Sequence, residues 1–104
     1  MAIIGNPFVA NVPKQMTADE LLQALRVDIA GELEAIIGYE AHASATTDQK
    51  AAKVLRHIAD EERQHVGELH QLLAMLSPRD AEWIDKGKAA IQMQQASNFS
   101  SPMA

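Results

Sequence analysis

Three side chains stand out by type and spacing. Glu62 and His65 form a Glu-x-x-His pair, and residues three apart on a helix lie on adjacent turns, where a carboxylate and an imidazole can turn towards one point. Glu32 supplies a second carboxylate. The neighbours of each residue set its environment. At about 100° per residue, Leu55, Leu69 and Leu73 fall within about 20° of Glu62, and Ile58 and Val66 within about 40°, so Glu62 sits on the midline of an apolar face. Leu25, Ile36 and Tyr39 fall within about 40° of Glu32, so this carboxylate also points inward, with the Tyr39 phenol two turns further along the same line.

An unpaired buried carboxylate costs several kcal/mol, and two at one level repel each other unless one is protonated or a cation lies between them. A hard multivalent cation satisfies both. The chain has no cysteine, which excludes thiolate metal sites, catalytic thiols and disulfides. Oxygen-rich ligation with one histidine per metal favours iron or manganese over structural zinc. Two carboxylates and one imidazole leave such an ion under-coordinated, and a twofold axis doubles the set.

The elements that must position these residues are helices. Ala, Leu, Ile, Glu, Gln and Lys dominate, and only 4% of residues are aromatic, which indicates an all-α fold. Asn6-Pro7 and Val12-Pro13 disfavour helix before each proline, so 1–16 reads as an extended arm. Thr17 and Glu20 have the capping-box spacing, and an apolar stripe of Leu21, Leu22, Leu25, Ile29, Leu33, Ile36 and Ile37 predicts a first helix over roughly 18–45. Thr46-Thr47-Asp48 reads as a short turn into a second helix over roughly 48–76, and Ser77-Pro78 opens a shorter third one to about Gln94. The unit thus spans 17–94, and 95–104 reads as a flexible tail. Two long helices joined by a tight turn lie antiparallel. Glu32 is fifteen residues before Thr47 and Glu62 fifteen after it, so the two stand at one height, roughly 22 Å from the bend. At 104 residues the chain makes one small domain, and a hairpin alone leaves half of each stripe uncovered. A second copy completes an antiparallel four-helix bundle.

Two such hairpins supply the ligand set of ferritin-like dinuclear centres, one Glu from each of two helices and a Glu-x-x-His from each of the others. Glu32-Leu-Glu-Ala-x-x-x-Tyr39, the short turn and Asp60-Glu-Glu-Arg-Gln-His65 resemble the encapsulated ferritin family over about residues 18–76. The resemblance implies a homodimeric ferritin-like four-helix bundle, a di-iron cofactor site at its interface, and ferroxidase activity for iron storage or detoxification. It implies Glu32, Glu62 and His65 as iron ligands, and these three with Tyr39, the nearby phenol, as catalytic residues. It further implies a larger homo-oligomer, commonly a decamer, and an encapsulin shell protein as partner in a cytoplasmic nanocompartment. The chain departs from some members at Gly31 and Gly38, where they carry an acidic residue and a tryptophan. Its tail SNFSSPMA is not of the Leu/Gly/Ser/Lys type through which members dock to the shell.

Other readings of the same residues remain open here. A rubrerythrin-like peroxide reductase uses the same kind of centre, and a non-catalytic helical interaction protein could use a metal to hold its dimer together. Asp28, one turn before Glu32, reads as an exposed residue flanking the stripe or an auxiliary carboxylate. Glu34 and His57 point to solvent, His42 and His70 lie at stripe edges, and Glu61 and Glu68 could orient the free nitrogen of His65. The net charge of −5 argues against a nucleic-acid partner. No leader pattern or segment of about 18 apolar residues appears, so the expectation is a cytoplasmic chain with no membrane partner.

Overall fold

The computed structural model describes residues 15–97. It holds three helices, α1 (Ala18–Ala45), α2 (Gln49–Leu76) and α3 (Pro78–Ser97), with no strand among the described residues. Side-chain oxygens begin each one. The Thr17 hydroxyl accepts from the Glu20 amide at 3.1 Å while the Glu20 carboxylate accepts from the Thr17 amide at 3.0 Å, satisfying reciprocally two amides near the start of α1. Asp48 accepts from the amides of Lys50 and Ala51 at 3.0 and 3.1 Å, and Thr46 accepts from the Asp48 amide at 3.1 Å. Three residues therefore stop one helix and start the next. Ser77 accepts from the Asp80 amide at 3.2 Å, with Pro78 at the first helical position, where its missing N–H costs nothing.

The all-helical hairpin expected from the sequence is present. The third helix runs to Ser97, three residues past the expected end at Gln94, because nothing in Gln95-Ala96-Ser97 breaks a helix. Residues 95–97 of the expected tail are thus helical, and the rest of it, 98–104, lies outside the described residues. The extended arm expected over 1–16 lies outside them too, apart from Gln15 and Met16. No described helix is long and apolar enough to cross a membrane.

The hairpin core has two unlike halves. At the end away from the turn, Leu25, Ile29 and Leu73 are buried, with Leu21, Leu22 and Leu69 packed against them. Towards the turn, the buried apolar side chains are Ala43, Ala52 and Ala59, whose size lets the helices approach closely. The stripe predicted from the sequence is wider than one hairpin covers. Leu33 and Ile37 on α1, expected to face inward, are 48% and 69% exposed, and Val54, Leu72 and Leu76 on α2 are also exposed. Each large apolar side chain left about half in water forgoes roughly 1 kcal/mol of burial.

The third helix packs against α2 and is tied to α1 by one ion pair. Arg26 Nη2 lies 2.8 Å from Asp80 Oδ2, and the buried Ser77 hydroxyl donates to the same carboxylate oxygen. The Ser77 hydrogen bond first, and Arg26 second, hold the Asp80 carboxyl below its ordinary value of 3.8. A carboxyl whose folded value is depressed contributes stability that is present above its unfolded value and lost as pH falls through the folded one. The melting temperature of the wild type should therefore exceed that of Asp80→Asn at pH 7, and the gap should close as pH falls below 3.8. Thermal denaturation of both proteins between pH 2 and pH 7, followed by emission of the single tryptophan, Trp83, reads this directly. A gap that stays constant across that window would show that the carboxylate is not what ties α3 down.

Candidate metal centre

Glu32 projects from α1, and Glu62 and His65 from α2. His65 Nδ1 lies 3.3 Å from Glu62 Oε2 and 3.5 Å from Glu32 Oε2, and one ligand atom from each of the three lies within 4.8 Å of the others. Metal–ligand bonds of about 2.1 Å place opposite ligands about 4.2 Å apart, so small rotations of these side chains suffice to enclose a cation. The donor set fits a hard divalent ion with a preference for one imidazole. This is the one converging group of three or more His, Asp or Glu residues among the described residues. The level match expected of Glu32 and Glu62 is met.

Burial is graded across the group. The side chain of Glu62 is 16% exposed and that of Glu32 27%, whereas His65 is 48% exposed. The closed side is lined by the alanine half of the hairpin, since Ala59 and Ala52 lie about 60–80° round α2 from Glu62. The open side is apolar. His65, Val54, Leu72 and Leu76 all lie about 40–80° from Glu62 in the other direction, so the imidazole stands within a strip of uncovered aliphatic side chains.

Other sequence-predicted residues fall outside the group. Tyr39 is half-buried on the Glu32 side but does not join the converging atoms. Asp28, Glu34, His42, His57 and His70 are exposed. Glu61, expected near His65, instead pairs with His57 at 3.5 Å, its neighbour at i−4 on the same face; Glu68 is exposed. Sequence reasoning passed over Arg63. Its guanidinium holds Glu40 of α1 at 2.6 Å and Asp60 at 3.0 Å, and the hydrogen bond to Glu40, ahead of the charges around it, raises its already high pKa. Only the Asp60–Arg63 spacing was visible in the sequence.

With this geometry in view, likeness to known proteins becomes informative. The family described as Ubiquinone biosynthesis protein COQ7 matches residues 19–85, a stretch that contains all three converging residues. The crystal structure of the encapsulated ferritin domain from Pyrococcus furiosus superposes with a TM-score of 0.71 at 34% identity, covering 93% of this chain and 96% of that one. The chain belongs to the COQ7-type ferritin-like family, among the encapsulated ferritins. The chain is also 43% identical over 76 residues to the encapsulin nanocompartment cargo protein EncC of Myxococcus xanthus. It is 39% identical over 82 residues to a ferritin-like-encapsulin shell fusion protein of Pyrococcus furiosus. These alignments take in 73% and 79% of this chain, but 58% and 24% of the two relatives.

Without a cation, two carboxylates face each other across the hairpin with one imidazole between them. Replacing one by its neutral isostere should relieve that repulsion. In chelator at pH 8, Glu62→Gln should melt a few degrees above the wild type, and adding a divalent metal should stabilise the wild type alone. Equal melting temperatures in chelator would mean the carboxylates do not strain the metal-free fold.

Proposed function

We propose that the chain is a ferroxidase whose active centre is completed by a second copy of itself. The observation that carries this reading is the convergence of Glu32, Glu62 and His65 at the rim of an uncovered apolar strip. A twofold axis through that strip covers Val54, Leu72 and Leu76, closes a four-helix bundle, and sets six ligands around a pair of ions. Fe2+ is the substrate. Two Fe2+ each give one electron to dioxygen, which takes up two protons and leaves as hydrogen peroxide. Carboxylate oxygens favour the higher charge of Fe3+, so the same ligands that bind Fe2+ also assist its oxidation. His65, held by Glu62 and Glu32, keeps one side of each ion in place. Tyr39, two turns along α1 from Glu32 and half-buried, supplies a phenol on the same face of the helix.

A bundle of this size encloses no space for mineral, so storage of the ferric product needs a larger ring of dimers or a container. The relatives named as encapsulin cargo and as a shell fusion support an encapsulin shell in the cytoplasm as that container and as the partner.

Light-scattering mass and metal analysis of the wild type and of Glu62→Ala test the centre. The wild type should bind about one Fe2+ per chain as a dimer or larger, and the variant should lose that ion; retained binding would remove the assignment. Aerobic stopped-flow absorbance should show ferric product forming faster than in buffer. Product formed with peroxide but not with dioxygen would transfer the chain to the peroxide reductases.

A further inference from the structure

Two polar links cross between α1 and α2 among the described ion pairs. One is His65–Glu32, inside the metal group, and the other is Arg63–Glu40. Arg63 follows Glu62 directly, and its guanidinium reaches Glu40 with Nη2 and Asp60 with Nη1. Round the helices, Arg63 lies about 100° from Glu62 and Glu40 about 80° from Glu32, both towards the alanine side. The latch therefore runs along the flank opposite the open strip that holds His65.

On the turn side of the centre, towards which Arg63 reaches to meet Glu40, the buried apolar side chains are alanines, and there apolar packing defines orientation least. Ala43, Ala52 and Ala59 bring the helices close, but a methyl group is too short to act as a knob that resists rotation. The leucine cluster that could do so reaches the centre from the other side, through Ile29 and Leu69, and does not extend to the turn side. A 20° rotation of α2 about its axis moves a side-chain tip at a radius of about 5.5 Å by about 2 Å, whereas a metal constellation tolerates about 0.5 Å. A guanidinium fork pinned to carboxylates on both helices restricts that rotation as a single point charge does not.

We propose that Arg63 is a positioning residue for the metal centre, setting the rotation of α2 against α1 through Glu40 so that Glu62 and His65 meet Glu32. The inference rests on the proposed function for the identity of the ion. It also carries a sign that separates it from simple electrostatics. A cation beside a cation site weakens binding, so removing it for charge alone should tighten Fe2+ binding, more so at low salt. Removing a positioning residue should weaken it.

The test is anaerobic calorimetric titration of the full chain with Fe2+, alongside circular dichroism, for the wild type, Arg63→Met, Arg63→Lys and the swap Arg63→Glu/Glu40→Arg. Arg63→Met should bind Fe2+ about fivefold to tenfold more weakly with unchanged helix content. Arg63→Lys should fall between it and the wild type, and the swap, which restores the cross-helix pair at unchanged net charge but not the Asp60 arm of the fork, should recover part of the loss. Arg63→Met binding as tightly as the wild type, or more tightly, overturns the proposal. So does a folded swap that binds no better than Arg63→Met. If Arg63→Met loses helix content, the Lys and swap variants decide by the same comparison. A wild type that binds no Fe2+, or binds it equally well as Glu62→Ala, instead overturns the metal centre itself.

Discussion

Placing Glu32 and Glu62 at one height between two helices works against folding, and much of the hairpin can be understood as accommodating it. Each carboxylate sits amid aliphatic side chains, where charge is disfavoured, and each faces the other, where like charge is disfavoured again. The imidazole between them offsets part of this, and a cation offsets more. Leucines at one end hold the helices together, alanines at the other draw them close, and Arg63 bridges their flank. The open side of the group is left as bare hydrocarbon, which gains free energy when another apolar surface covers it. On the proposed function, binding of the ion and association of copies are favoured by the same face.

The sequence revealed a large part of this because the relevant signals are local. Thr17 with Glu20, Asp48 and Ser77-Pro78 are short-range capping patterns, and they put helix starts where the structure has them. Glu62 was legible because a charge on the midline of a leucine stripe has few readings, and Glu32 because a three-residue turn converts sequence distance into height. Leu33 and Ile37 were not separable from Leu25 and Ile29 by periodicity, since a helical pattern reports which face is apolar but not which part of it the same chain covers. Arg63–Glu40 and Arg26–Asp80 escaped for a related reason. Long side chains reach across a gap whose width depends on packing, and packing here depends on alanines that carry no directional signal.

The ligands also differ in what fixes them. Glu62, 16% exposed, is confined by its neighbours on the helix. His65 stands half in solvent and is oriented by the two carboxylates rather than by packing, so its ring settles fully once something covers Val54 and Leu72. On the proposed function, preorganisation is divided between the fold of one chain and its association with another, and the affinity of the centre for metal would depend on protein concentration.

The way α3 is mounted extends this dependence to the lifetime of the chain. It packs on α2 and reaches α1 through Arg26 and Asp80, while Trp83 and Ile91 remain exposed. A helix in a folded protein takes most of its stability from tertiary packing, and α3 packs less extensively than the hairpin helices do on each other. It is therefore the described helix expected to open first in a lone copy, and opened segments are where proteases cut. On the proposed function, a neighbouring copy or container wall that covered α3 would also protect it, so that solitary copies would be degraded first.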